Sequence, residues 1–257
     1  MHNPVWNLHC RGLGHYFTGL LISLLFSSMV HAETTTLAIH ARADDAKFIG
    51  SGTGGMNVII EDAATGELLD SGRITGGTGD TESLMTTGQT RGRSPTAGAA
   101  GYRASLDIDA PTRVRIQVTG PLVEGDSIQT LSATTWVIPG RDMVDPGIVL
   151  YMPGLLVQLV SVDQQSDQLN VEADVSMMCG CPITEGGLWD AAGFQVMGEL
   201  YREGERIARA PLAFTGKTNR FSGQLEASEP GEFELVVHAF QDNRDNAGVN
   251  RQSIVMQ

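Results

Sequence analysis

Beyond residue 32 no stretch of this chain carries the 3.6-residue apolar period of an amphipathic helix, and that constrains the fold more than any other feature. In its place come short alternating or β-branched runs. They cover residues 34–41, 57–61, 102–108, 113–119, 134–138, 155–162, 168–177, 193–201, 206–214, 220–227, 232–241 and 250–255. Gly, Pro, Asn and Asp punctuate them, and no 20–50-residue repeat is visible. Short strands at this spacing are the pattern of sandwiches and small barrels. The expected fold class is all-β, with two β-sandwich domains.

Pro153-Gly154, after the apolar run 147–152, is the expected boundary between an N-terminal sandwich (33–152) and a C-terminal one (153–257). A sandwich needs roughly a hundred residues, so two fit. In the later half, residues 199–206 read as a hairpin turning at Glu203-Gly204. Runs 231–241 and 250–255 are joined by the turn-rich Asp242-Asn243-Arg244-Asp245-Asn246-Ala247-Gly248. This closing hairpin resembles the terminal strands of bacterial immunoglobulin-like and fibronectin-type modules. The resemblance implies an immunoglobulin-like C-terminal fold and carries no function. The earlier half has Gly- and Thr-rich stretches at 50–55 and 75–100, the second expected to be a mobile or binding loop.

Residues 17–30 are almost wholly apolar, follow Arg11, and end at Val30-His31-Ala32. A basic start, an apolar run and small residues at the end describe a cleaved secretory signal over residues 1–32. The run is shorter than the twenty or so residues that span a bilayer. The expected location is periplasmic or secreted, without stable membrane insertion, and Cys10 leaves with the signal. Removal of Arg11 leaves 16 basic residues against 30 acidic ones. So acidic a surface repels nucleic acid and anionic lipid, and leaves a protein in the same compartment as the expected partner.

Four of six histidines fall in the signal, leaving His40 and His238, with only Lys47, Lys217, Cys179 and Cys181 beside them. Such scarcity argues against an enzyme, and no catalytic residue is assigned. Gly50-Ser51-Gly52-Thr53-Gly54-Gly55 matches the dinucleotide fingerprint in letters, but residues 56–61 read as a strand where the phosphate-binding helix should stand. The Asp and Asn of 242–246 could offer oxygens to Ca²⁺, although these residues equally make tight turns. Both histidines are expected on solvated or inter-domain strand faces, and neither sits in the strand–turn–helix context of a hydrolase nucleophile.

The informative stretch is Met177-Met178-Cys179-Gly180-Cys181-Pro182. It ends a strand whose core face is Leu169, Val171, Ala173 and Val175, and period-two alternation puts Met177, Cys179 and Cys181 on that same side. Three chemistries fit. The cysteines form a disulfide, which an oxidising compartment favours and a one-residue spacer makes easy to reduce. The sulfurs bind a soft ion, for which thiolate and thioether select Cu(I). Or they are core packing. The expected role is an extracytoplasmic accessory protein that carries or delivers Cu(I), or stabilises a metalloprotein complex. Its ligands would be Cys179, Cys181 and Met177 or Met178, with Met197 and Trp189 as further candidates. The alternatives are an adhesion or assembly module with a structural Cys179–Cys181 link, and a thiol–disulfide redox protein.

Overall fold

The computed structural model describes residues 33–87, 96–123 and 125–257, so the expected signal peptide and residues 88–95 of the Gly/Thr-rich stretch lie outside the described residues. Nearly everything described is strand. The first seven strands are β1 (Glu33–Ala43), β2 (Met56–Asp62), β3 (Leu68–Thr78), β4 (Ala99–Ile108), β5 (Thr112–Gly120), β6 (Gln129–Val137) and β7 (Met143–Met152). They form one sheet in the order β6-β5-β2-β3-β4-β1-β7, curled until the outermost strands β6 and β7 approach each other. All its pairings are antiparallel except β1 with β7. The enclosed face follows from alternation: Leu37, Ile39 and Ala41 on β1, Met56, Val58 and Ile60 on β2, and Val114, Ile116 and Val118 on β5 are buried.

After Pro153-Gly154 the chain leaves this sheet and builds a sandwich. Its strands are β8 (Leu155–Gln165), β9 (Gln168–Met177), β10 (Phe194–Arg202), β11 (Glu205–Pro211), β12 (Ala213–Phe214), β13 (Arg220–Glu226), β14 (Gly231–Gln241) and β15 (Asn246–Met256). One layer is β11-β10-β14-β15 and the other β12-β13-β9-β8. The inner faces pack Leu169, Val171, Ala173 and Val175 of β9 against Val196 and Leu200 of β10 and Leu235 and Val237 of β14. The fold class is all-β, as the strand pattern implies, and the two four-stranded layers after Pro153-Gly154 make the immunoglobulin-like sandwich expected there. Residues 33–152 form a single curled sheet instead of the expected second sandwich, because β1 bonds both β4 and β7 and keeps all seven strands in one ladder. Residues Ala32–Gln257 pack as one compact unit.

Two strands differ from the sequence reading. β3 begins before the Gly/Thr-rich stretch and enters it as far as Thr78, and β7 occupies the apolar run before the boundary. The remaining described part of 75–100 contains one π-helical turn, Glu82–Thr86, so it is only partly a loop. Residues Ser51–Thr53 form a 3₁₀ turn running into strand β2, the turn reading of that glycine cluster. His40 does face away from Leu37 and Ile39, yet it is buried rather than solvated. The Phe48 ring packs edge-on against its imidazole, because the chain after β1 folds back over the sheet. His238 shares the half-exposed outer face of β14 with Glu234, Val236 and Phe240. Among the described residues no helix is long and apolar enough to cross a membrane.

Candidate functional site

Strand β9 ends because the chain must reverse at Gly180. The Gly180 amide donates to the Met177 carbonyl at 2.7 Å, and the Met177 amide donates to the Cys181 carbonyl at 3.2 Å. Gly180 has φ +74°, a left-handed conformation that favours glycine, and a Cβ there would stand 2.9 Å from the Thr53 methyl. This five-residue turn brings the Cys179 and Cys181 sulfurs together, and they are joined as a disulfide with Cα atoms 5.3 Å apart.

Two neighbouring segments hold the turn in place. Asn219 accepts the Ile183 amide on Oδ1 at 2.7 Å, and its own amide donates to the Ile183 carbonyl at 2.9 Å. Its carbonyl also receives the Val175 amide, so one residue spans both sides of the turn. The following loop, 184–192, is closed by Asp190, whose Oδ1 accepts the Gly186 and Ala192 amides. It carries Trp189, whose indole N–H donates to the Asp45 carbonyl at 2.8 Å and ties the loop to the first sheet's β1–β2 connection.

The disulfide forms part of the wall of an open cavity of about 360 Å³. Cys179, Gly180, Cys181 and Pro182 of the turn line it together with Thr184, Leu188 and Trp189 of the following loop, and the first sheet contributes Lys47, Thr81 and Thr78 at the end of β3. The Lys47 ammonium donates to the Thr81 hydroxyl at 2.9 Å. Each cysteine is only 4 % exposed, and both line this opening. The pair is therefore largely shielded from bulk solvent while lining an open cavity that also holds the Lys47 cation.

The other sequence candidates are placed differently. Met177 is fully buried on the core face of β9, where alternation put it. Met178 is also fully buried, with its terminal methyl beside Gly154. Neither methionine lines the cavity. Trp189 does. Met197 lies on the outer face of β10 opposite His238 and Pro211, away from the cysteines. Lys47, Thr78 and Thr81 escaped the sequence reading because they lie a hundred or so residues away, and no local pattern announces them. Among the described residues no three His, Cys, Asp or Glu side chains cluster as a metal site.

A separate charge cluster occupies the outer face of the sandwich. Glu199, its side chain 8 % exposed, takes the Arg206 and Arg209 guanidinium groups at 3.2 and 3.1 Å and the Tyr201 hydroxyl at 2.6 Å. The Tyr201 hydrogen bond, then His238 and Arg206, hold its carboxyl below the usual carboxylate range against the opposing effect of burial. The Glu199 carboxylate in turn raises the Tyr201 phenol. All the groups are mutually satisfied, so the cluster reads as cross-strand stabilisation of β10, β11 and β14.

No family model matches the chain, and no curated protein matches it. Among solved structures, a DUF3823 family protein from Bacteroides ovatus is similar at 12% identity and TM-score 0.32, over 86% of this chain and 100% of that one. The chicken interferon gamma receptor alpha chain is similar at 10% identity and TM-score 0.35, over 88% and 98%. A second DUF3823 family protein, from Parabacteroides merdae, shows 10% identity and TM-score 0.28 over 88% and 100%. At these TM-scores no fold, activity, ligand or partner is taken from the likeness.

Proposed function

We propose that this protein is a non-catalytic accessory protein of the periplasm or extracellular space that holds Cu(I) between Cys179 and Cys181 when the pair is reduced. The observation that carries the reading is the position of the two sulfurs, joined to each other on the wall of one open cavity. Reduction leaves two soft ligands sharing one space, and thiolates select Cu(I) over harder ions. A dithiol on a partner protein supplies the electrons. Its two S–H groups close to one S–S bond, while the Cys179–Cys181 bond becomes two S–H groups. Cu(I) then displaces both protons, and the resulting dithiolate complex carries one negative charge, offset by Lys47 in the lining of the same cavity.

The test is an anaerobic titration of phosphine-reduced protein, freed of phosphine, with Cu(I) against a chromophoric chelator. One equivalent is expected per chain. Cys179→Ser or Cys181→Ser should each weaken binding at least ten-fold, about 1.4 kcal/mol. Uptake unchanged in both variants overturns the reading. Met177→Leu and Met178→Leu, near-neutral swaps of volume, separate packing from a thioether contribution, because only a ligating sulfur alters copper affinity.

The oxidised pair also supports a second reading, an assembly module in which the bond only closes the turn against Thr53. On that reading the reduced wild-type protein takes up no copper, and loss of the cysteines alters stability alone.

A further inference from the structure

A second cavity, of about 560 Å³, opens on the outer side of the seven-stranded sheet and shares no residue with the disulfide cavity. His40 of β1 forms part of its lining, with Gly101 and Arg103 of β4 and Val144 and Asp145 of β7 around it. The imidazole occupies the space beside Gly101, where a Cβ would stand 2.7 Å from Cε1 and 2.9 Å from Nδ1, so this glycine makes the room for the ring. His40 Nδ1 is 2.7 Å from the Ala100 carbonyl. A carbonyl oxygen can only accept, so Nδ1 carries the proton and Nε2 presents a lone pair. The residue is only 7 % exposed, and no hydrogen bond or ion pair holds Nε2 among the described residues. Burial, above all, holds this imidazole below its usual value and keeps it neutral.

Two opposite charges stand with it. Arg103 and Asp145 are exposed, line the same cavity, and form no ion pair among the described residues. The combination is selective. A plain anion would find Arg103 but would meet the Nε2 lone pair and the Asp145 carboxylate. A neutral sugar would satisfy those two acceptors and leave the guanidinium unused.

We infer that this cavity binds a polyhydroxy carboxylate of the aldonic or uronic acid class. The ligand's carboxylate pairs with Arg103, one hydroxyl donates to His40 Nε2, and another donates to Asp145. The volume falls within the range of small-molecule sites. The inference does not depend on the copper reading, because the cavities and residues are separate.

The experiment is calorimetric titration of the purified protein with D-galacturonate, with D-galactose and acetate as probes lacking the carboxylate and the hydroxyls. Galacturonate should bind at least ten-fold more tightly than either. Arg103→Ala, at an exposed position that leaves the fold intact, should weaken it at least ten-fold. His40→Phe keeps a ring against Phe48 and removes the acceptor, and should weaken it by a similar factor once its melting curve shows a folded protein. Absence of galacturonate binding up to about 10 mM, equal binding of galactose or acetate, or an unchanged affinity in Arg103→Ala overturns the inference.

Discussion

Glu199 shows how one buried side chain can organise a surface. Its carboxylate collects two arginines, a tyrosine hydroxyl and the His238 imidazole, which lies 3.5 Å away. Its folded pKa lies below the unfolded one, so the stability it contributes is fully present above the ordinary value of 4.5 and is lost as pH falls through the folded value. Tyr201→Phe removes the largest cause of that depression. Urea denaturation near neutral pH should show a loss of stability that shrinks as pH falls below the ordinary value of 4.5. A loss that does not change with pH would contradict this assignment. His40, a base, gives the same direction of pH dependence from a different cause. Burial lowers its folded pKa, so the unfolded chain takes up the proton first. Its contribution is full above the ordinary value of 6.5 and declines as pH falls toward the folded value. A stability–pH profile of His40→Gln should be flatter than wild type below that point.

At the scale of elements, the end of β9 matters most, because its turn sets the distance between the two sulfurs. Gly180→Ala combines a left-handed backbone with a Cβ crowding Thr53, so it should cost about 1–2 kcal/mol in urea denaturation. A neutral outcome would show that the turn is not held against the first sheet. This element was legible in sequence because Leu169, Val171, Ala173 and Val175 alternate cleanly into the sulfur cluster. The alternating halves of β14 were legible for the same reason, with Phe233, Leu235 and Val237 inward and Glu234, Val236 and His238 outward. β3 was not legible. Of its eleven residues only Ile74 is buried, and Gly72, Gly76 and Gly77 leave no alternating apolar pattern to read. β7 was hidden by Pro146, which argues against a central strand. It is tolerated because β7 lies at one end of the sheet order and pairs with β1 alone.

Across the whole molecule, the seven-stranded sheet and the sandwich are joined by part-buried polar contacts, anchored on a buried amide, that single-sequence patterns cannot reveal. Asn246 is fully buried; its Oδ1 accepts the Gly154 amide at 2.8 Å, and its Nδ2 donates to Gln241 Oε1 at 2.9 Å. Gln241 Nε2 then donates to the Asp45 carboxylate at 2.9 Å, and Arg244 pairs with that same carboxylate at 3.2 Å. Removing the central amide leaves a buried amide N–H and a buried carbonyl oxygen without partners. Asn246→Ala should therefore cost about 2–3 kcal/mol. Because these contacts link the two parts, wild type should melt in one calorimetric transition, and a split transition in wild type would contradict the coupling.

The disulfide cavity lies on this same junction, with Lys47 and Thr81 contributed by one part and Cys179, Cys181 and Trp189 by the other. The most direct measurement is mass spectrometry after alkylation of folded protein, with and without brief treatment by a small dithiol in the absence of denaturant. The account predicts no alkylation before treatment and two alkyl groups, on Cys179 and Cys181, after it. Thiols already free before treatment, or a bond that yields only after the protein is unfolded, would contradict a reducible pair open to its cavity.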